Sequence, residues 1–61
     1  MQYKHKKMLL SMGIYERDID YIISVIGEGF TDVFEMKKLL KENMHKLRNI
    51  GYISSYIIKN L

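Results

Sequence analysis

An all-α fold, a compact bundle of about four short helices, is what this chain predicts, and three observations carry the expectation. Ile19, Ile22, Ile23 and Ile26 recur at i, i+3, i+4 and i+7, the spacing of a single helix face. The 61 residues contain no proline to interrupt a helix. Gly13, Gly27, Gly29 and Gly51, with the stretch Asp32-Val-Phe-Glu35, punctuate the chain at intervals that suit short helices.

The first helix is expected over residues 3–12, where His5, Met8, Leu9 and Met12 repeat the same spacing and Gly13 supplies a stop. The second is expected over 15–26. Its isoleucines also favour strands, but a strand would put Ile22 and Ile23 on opposite faces, and the acidic first turn suits a helix N-terminus. Gly27-Glu-Gly29 breaks the pattern and Phe30 packs as the loop turns. Asp32 and Glu35 then read as a capping box, each side chain satisfying a backbone N–H of the other's turn. The third helix places Val33, Met36, Leu40, Met44 and Leu47 inward, ending either near Asn43 or near Asn49. Gly51 separates it from a last helix whose inner edge reads as Ile50, Ile53, Ile57 and Leu61.

Sixty-one residues form one domain with a thin core, burying only ~60% of the surface its unfolded form exposes. The chain has no cysteine, so it has no disulfide and no thiolate chemistry. Nine isoleucines and eight leucines and valines favour helices with branched apolar faces, with a homodimer or a larger parent protein as a further source of burial. The longest apolar run, residues 21–26 interrupted by Ser24, is far short of the ~20 needed to span a membrane, and no targeting segment is evident. A cytoplasmic location is the expectation. Leu61 reads as lying in mid-helix without a polar stop, which gives the chain the look of an excised domain or of one whose parent continues.

Charge is segregated along the chain: residues 1–15 are net +3, 16–35 net −5 and 36–61 net +5. Such blocks offer one face to an anionic partner and another to a basic one, although acids also gather at helix N-termini for local electrostatic reasons. Catalysis finds no support. His5, His45 and the serines lack a base and an orienting acid at a helical spacing that would build a triad, and the two histidines lie too far apart in sequence to imply a metal site. Neither an enzymatic role nor a cofactor is expected.

Two constellations remain. Lys37, Lys41, His45 and Arg48, widened by Lys38, would form a cationic stripe on an unbroken third helix, able to track phosphates; an ordinary solvated face is the alternative. Tyr52 and Tyr56 stack one turn apart with Lys59 on the same side, beside the core-facing edge. Tyrosine can anchor a protein interface or stack on bases with its hydroxyl half wet, and it can equally roof a thin core.

At these residues the tail Ile50-Gly-Tyr-Ile-Ser-Ser-Tyr-Ile-Ile-Lys-Asn-Leu61 resembles the end of the helical C-terminal domain of DnaD-type replication proteins. That domain also closes plasmid replication initiators of the RepA_N type. In that family a last helix of the form Tyr-Ile-x-x-Ile-Leu completes a small helical bundle. Tyr52 and Ile53 match its opening pair, and Tyr56 and Ile57 fill the Ile-Leu positions. The chain departs from the family in lacking the tryptophan that often follows, and in carrying Tyr56 in place of an aliphatic residue. The resemblance implies a non-enzymatic domain acting at the start of DNA replication that binds a replisome protein, such as a primase or helicase loader, DNA, or both. A weaker similarity, Met12-Gly13-Ile14 with a late Leu39-Leu40, is to ubiquitin-associated domains, which are protein-interaction modules. A small independent helix-turn-helix DNA-binding protein and a dimerisation module are the other readings. The residues expected to matter are Tyr52, Tyr56 and Lys59 for a protein partner, and Lys37, Lys38, Lys41 and Arg48 for nucleic acid.

Overall fold

A computed structural model of the chain describes residues 3–61. It is an all-helical globule of 24 × 21 × 18 Å with no strand among the described residues. Its Cα radius of gyration of 10.0 Å is what a folded chain of this length should have. Four α-helices follow one another: α1 (Tyr3–Ser11), α2 (Glu16–Ile26), α3 (Val33–Glu42) and α4 (Tyr52–Lys59), with one 3₁₀ turn (Met44–Lys46) before the last. None of the described helices is long and apolar enough to cross a membrane.

α1 ends where glycine permits it to end. Gly13 has φ +93°, its N–H donates to Leu10 O, and the next N–H, of Ile14, donates back to Leu9 O. This doubled closure satisfies two carbonyls the helix would leave unpaired, and it drops the fully buried Ile14 beside Leu9. α2 then presents Ile19, Ile22, Ile23 and Ile26 to the core, all buried as their spacing required. A Lys6–Glu16 pair at 3.0 Å ties α1 to the first turn of α2 on the outside.

The loop after α2 turns on Gly27, at φ +82°, and buries Phe30 completely. Asp32 caps α3 by accepting from the Glu35 N–H at 2.8 Å. The reciprocal half of the expected box is absent. Glu35 accepts instead from the Thr31 hydroxyl at 3.0 Å. α3 stops at Glu42, where Asn43 folds its side-chain amide back onto Leu39 O and gives its N–H to the same carbonyl. The path onward is a 3₁₀ turn, held against α2 by the Tyr21 hydroxyl donating to Lys46 O at 2.8 Å and by burial of Leu47. Because the helix breaks, Met44 leaves the inner face on which a continuous helix would place it, and it is exposed; Val33, in the first turn, is exposed as well.

α4 is rotated by one residue from the expected orientation. Its buried positions are Ser54 and Ile58, while Ile53 is 45% exposed and Ile57 only half-buried. The shift of ~100° about the axis has a polar cause described below. The helix closes at Lys59 rather than running through Leu61; the Asn60 amide side chain donates to Tyr56 O at 2.8 Å.

Candidate functional site

Among the described residues three polar side chains are buried, and each lies four residues before a core residue on the same helix face: His5 before Leu9, Asp18 before Ile22, Ser54 before Ile58. Asp18 is the hub of the largest polar cluster. Its Oδ2 accepts from the Ser54 hydroxyl at 2.7 Å and from the Gly51 N–H at 3.1 Å, and the Ser54 oxygen accepts in turn from the Tyr15 N–H at 3.2 Å. α4 has Gly51 at its N-cap and no capping side chain of its own, so the carboxylate of α2 fills that role from across the bundle. Drawing Ser54 inward to reach Asp18 is what turns Ile53 out. A side chain at position 51 would crowd this junction, since a Cβ there would stand 3.0 Å from Arg17 Nη2 and 3.2 Å from Asp18 Oδ2. The acidic first turn of α2 therefore does more than suit its own helix dipole. Ser54, at 0% exposure, is a structural hydroxyl sealed from any substrate.

His5 is buried against Phe30, with ring centroids 4.3 Å apart. A carbonyl can only accept, so the 2.8 Å contact to Phe30 O places the proton on Nε2. Nδ1 faces the Glu28 carboxylate at 4.0 Å. This arrangement clamps α1 to the loop between α2 and α3 and exposes no histidine nitrogen. Among the described residues there is no group of three or more His, Asp or Glu placed to hold a metal ion.

The opposite face of α4 carries Tyr52, 85% exposed, and Tyr56, 62% exposed, with Lys59 exposed along the same crest. Neither ring roofs the core. On α3, Lys37, Lys38 and Lys41 are all exposed and surround Phe34, which is 77% exposed. Together with Glu42 and Leu61 these residues line a shallow groove of about 360 Å³. Among the described residues, Lys37, Lys38, Lys41, Arg48 and Lys59 have no carboxylate within ion-pair distance.

The cationic stripe is not continuous. The break at Asn43 removes His45 and Arg48 from the helical register of Lys37 and Lys41. Arg48, its Nε donating to His45 O at 3.1 Å, instead stands with Lys59 on a second cleft of about 300 Å³ between the 3₁₀ turn and α4. The structure thus regroups the expected residues: Lys37, Lys38 and Lys41 with Phe34, and Arg48 with Lys59 beside the tyrosine crest. Phe34 is absent from the sequence expectation because it sits inside the capping-box stretch. The helical period does carry the signal, since position 34 lies off the face shared by Met36 and Leu40.

No family model, no curated protein and no solved structure matches the chain.

Proposed function

We propose that this chain is a non-enzymatic docking domain acting in the cytoplasm, the C-terminal part of a plasmid or phage-type replication initiator. It recruits a replisome protein, a primase or a helicase loader, through Tyr52, Tyr56 and Lys59. One observation carries the docking reading: two tyrosine rings and a lysine without a carboxylate partner share the solvent face of a helix whose other face is fully engaged in the core. Exposed aromatics next to a cation are the composition of interface anchors, which lose most of their binding energy when truncated singly. The assignment to replication rests on the likeness of residues 50–61 to DnaD-type tails. The uncommitted lysines of α3 supply long-range attraction for an anionic partner, DNA included.

Purified primase and helicase loader from a Gram-positive bacterium, tested for capture by the wild-type chain and by Tyr56→Ala, address this reading. Retention by the wild type and loss in the variant is the expected result. Equal retention by both, or by neither, removes the tyrosine crest from the account.

A second reading, a helix-turn-helix DNA binder, draws on the exposure of α3, whose buried positions are only Met36 and Leu40. Against it, six residues separate α2 from α3, more than the 3–4 of such a turn. If α3 tracks phosphates, duplex affinity falls steeply with salt, and the Lys37→Ala, Lys41→Ala double variant flattens that slope. A slope unchanged by the double variant sinks DNA binding by α3.

A further inference from the structure

The cleft between the 3₁₀ turn and α4 differs from the other concave surfaces in its chemistry. Its floor is hydrocarbon, made by Leu47, Ile50 and Ile58, and its rim carries Arg48, Lys59 and the Ser55 hydroxyl. No carboxylate lines it, whereas Glu42 lines both the Phe34 groove and the groove between α2 and α3. Neither rim cation has a carboxylate partner among the described residues, and the Ser55 hydroxyl makes no hydrogen bond within them. The cleft therefore combines a hydrocarbon floor with a polar rim on which Lys59, the Ser55 hydroxyl and the terminal nitrogens of Arg48 are uncommitted, the Arg48 Nε alone being engaged, with His45 O. At about 300 Å³ it stands at the lower end of the size range of ligand sites, enough for a side chain and its flanking backbone.

We infer that this cleft receives a short acidic segment of a partner protein, with one aliphatic side chain seated on Leu47, Ile50 and Ile58 and neighbouring carboxylates on Arg48 and Lys59. The inference deepens the docking function proposed above and rests on it, because Lys59 belongs both to the tyrosine crest and to the rim of the cleft. Charge complementarity selects the occupant. A nucleic acid would match the cations but not the floor, since bases stack on flat aromatic rings and here the rings lie on the crest outside. A second copy of this chain is a poor occupant. Its Asp18-Ile19-Asp20 stretch has Asp18 and Ile19 buried. Its exposed Val33 and Phe34 are flanked by Asp32 and Glu35, but those carboxylates are engaged at the start of α3, by the Glu35 N–H and the Thr31 hydroxyl. The same turn would bring Lys37 and Lys38 against Arg48 and Lys59. An acidic peptide satisfies floor and rim together, and Arg48 can bind a carboxylate through two parallel hydrogen bonds.

The test is an amide NMR titration of the wild-type chain with the blocked peptide Glu-Asp-Leu-Asp-Glu, with Glu-Asp-Gly-Asp-Glu and with an oligothymidylate. Saturable shifts at Leu47, Ser55 and Ile58 are expected with the leucine peptide, at least about tenfold weaker with the glycine peptide. The double variant Arg48→Ala, Lys59→Ala should lose the response while its circular dichroism stays that of the wild type. Ser55→Phe, which fills the cleft and leaves both cations, should lose it too. Shifts confined to other surfaces, equal response to the leucine and glycine peptides, displacement by the oligothymidylate, or self-association at the cleft each overturn the inference. Capture of primase or helicase loader that survives while the cleft stays silent defeats this inference alone; loss of capture with a responsive cleft defeats the replisome reading alone.

Discussion

The two faces of α4 do opposite work. Inward, Ser54 and Ile58 are fixed by a carboxylate from another helix and by close packing, with every polar atom of the Asp18–Ser54–Gly51 cluster that is buried paired. Outward, Tyr52, Tyr56 and Lys59 hold large apolar area and a charge in solvent with nothing to pair them. A thin bundle can rarely draw more than ~3–5 kcal/mol from its core. Turning two tyrosines and Ile53 outward while burying a serine is thus a choice of polar fixation over apolar area. The contrast teaches that the inner face answers to stability, whereas the outer face carries apolar area and charge that packing does not use, which is the face the proposed docking function calls on.

The largest effect expected is at the centre of the inner face. Ile58→Ala should cost about 4 kcal/mol and unfold much of the population, while Ile53→Ala, on the rotated-out edge, should cost less than about 1 kcal/mol. Urea titrations followed by circular dichroism compare them directly; equal losses would mean that α4 is not turned as described. Asp18→Ala comes next. It strands the Ser54 hydroxyl and the Gly51 N–H away from water and should cost about 3 kcal/mol, with Asp18→Asn milder because an acceptor remains. A wild-type midpoint for Asp18→Ala would dissolve the idea of a cap supplied in trans.

Gly13→Ala should cost about 1–2 kcal/mol, since the left-handed turn disfavours a Cβ and Ile57 Cδ1 would stand 3.1 Å from it. Lys6→Ala, which removes an outer ion pair, should shift stability by less than about 0.5 kcal/mol in the same titration. A larger loss at Lys6 would give the surface a structural weight the comparison denies it.

Much of the inner architecture is legible in the residues. The isoleucine spacing of α2, the glycine stop at position 13, the burial of Phe30 and the Asp32 cap all follow from local rules that the tertiary fold respects. What escapes those rules is α4. Ile53 and Ile57, with Ile50 just before the helix, fit the helical period, but Asp18 lies thirty-six positions before Ser54, and no local pattern announces that the two will meet. A polar residue in core register is the trace it leaves, and position 18 shares a face with Ile22 and Ile26 just as position 54 shares one with Ile58. The break at Asn43 is similar. Nothing in the run of lysines ends the helix, but the Asn43 side chain closes it and tertiary contacts through Tyr21 and Leu47 redirect the chain. The exposure of the candidate residues therefore reads from the sequence one by one, but their grouping does not, because it depends on that redirected loop.

The most direct measurement is a paired one on the double variant Tyr52→Ala, Tyr56→Ala: its urea midpoint and its capture of purified primase or helicase loader. A midpoint equivalent to within about 0.5 kcal/mol of the wild type, with capture abolished, is the predicted result. A variant that unfolds early, or one that keeps its hold on the partner, would contradict the division of α4 into a structural face and a docking face.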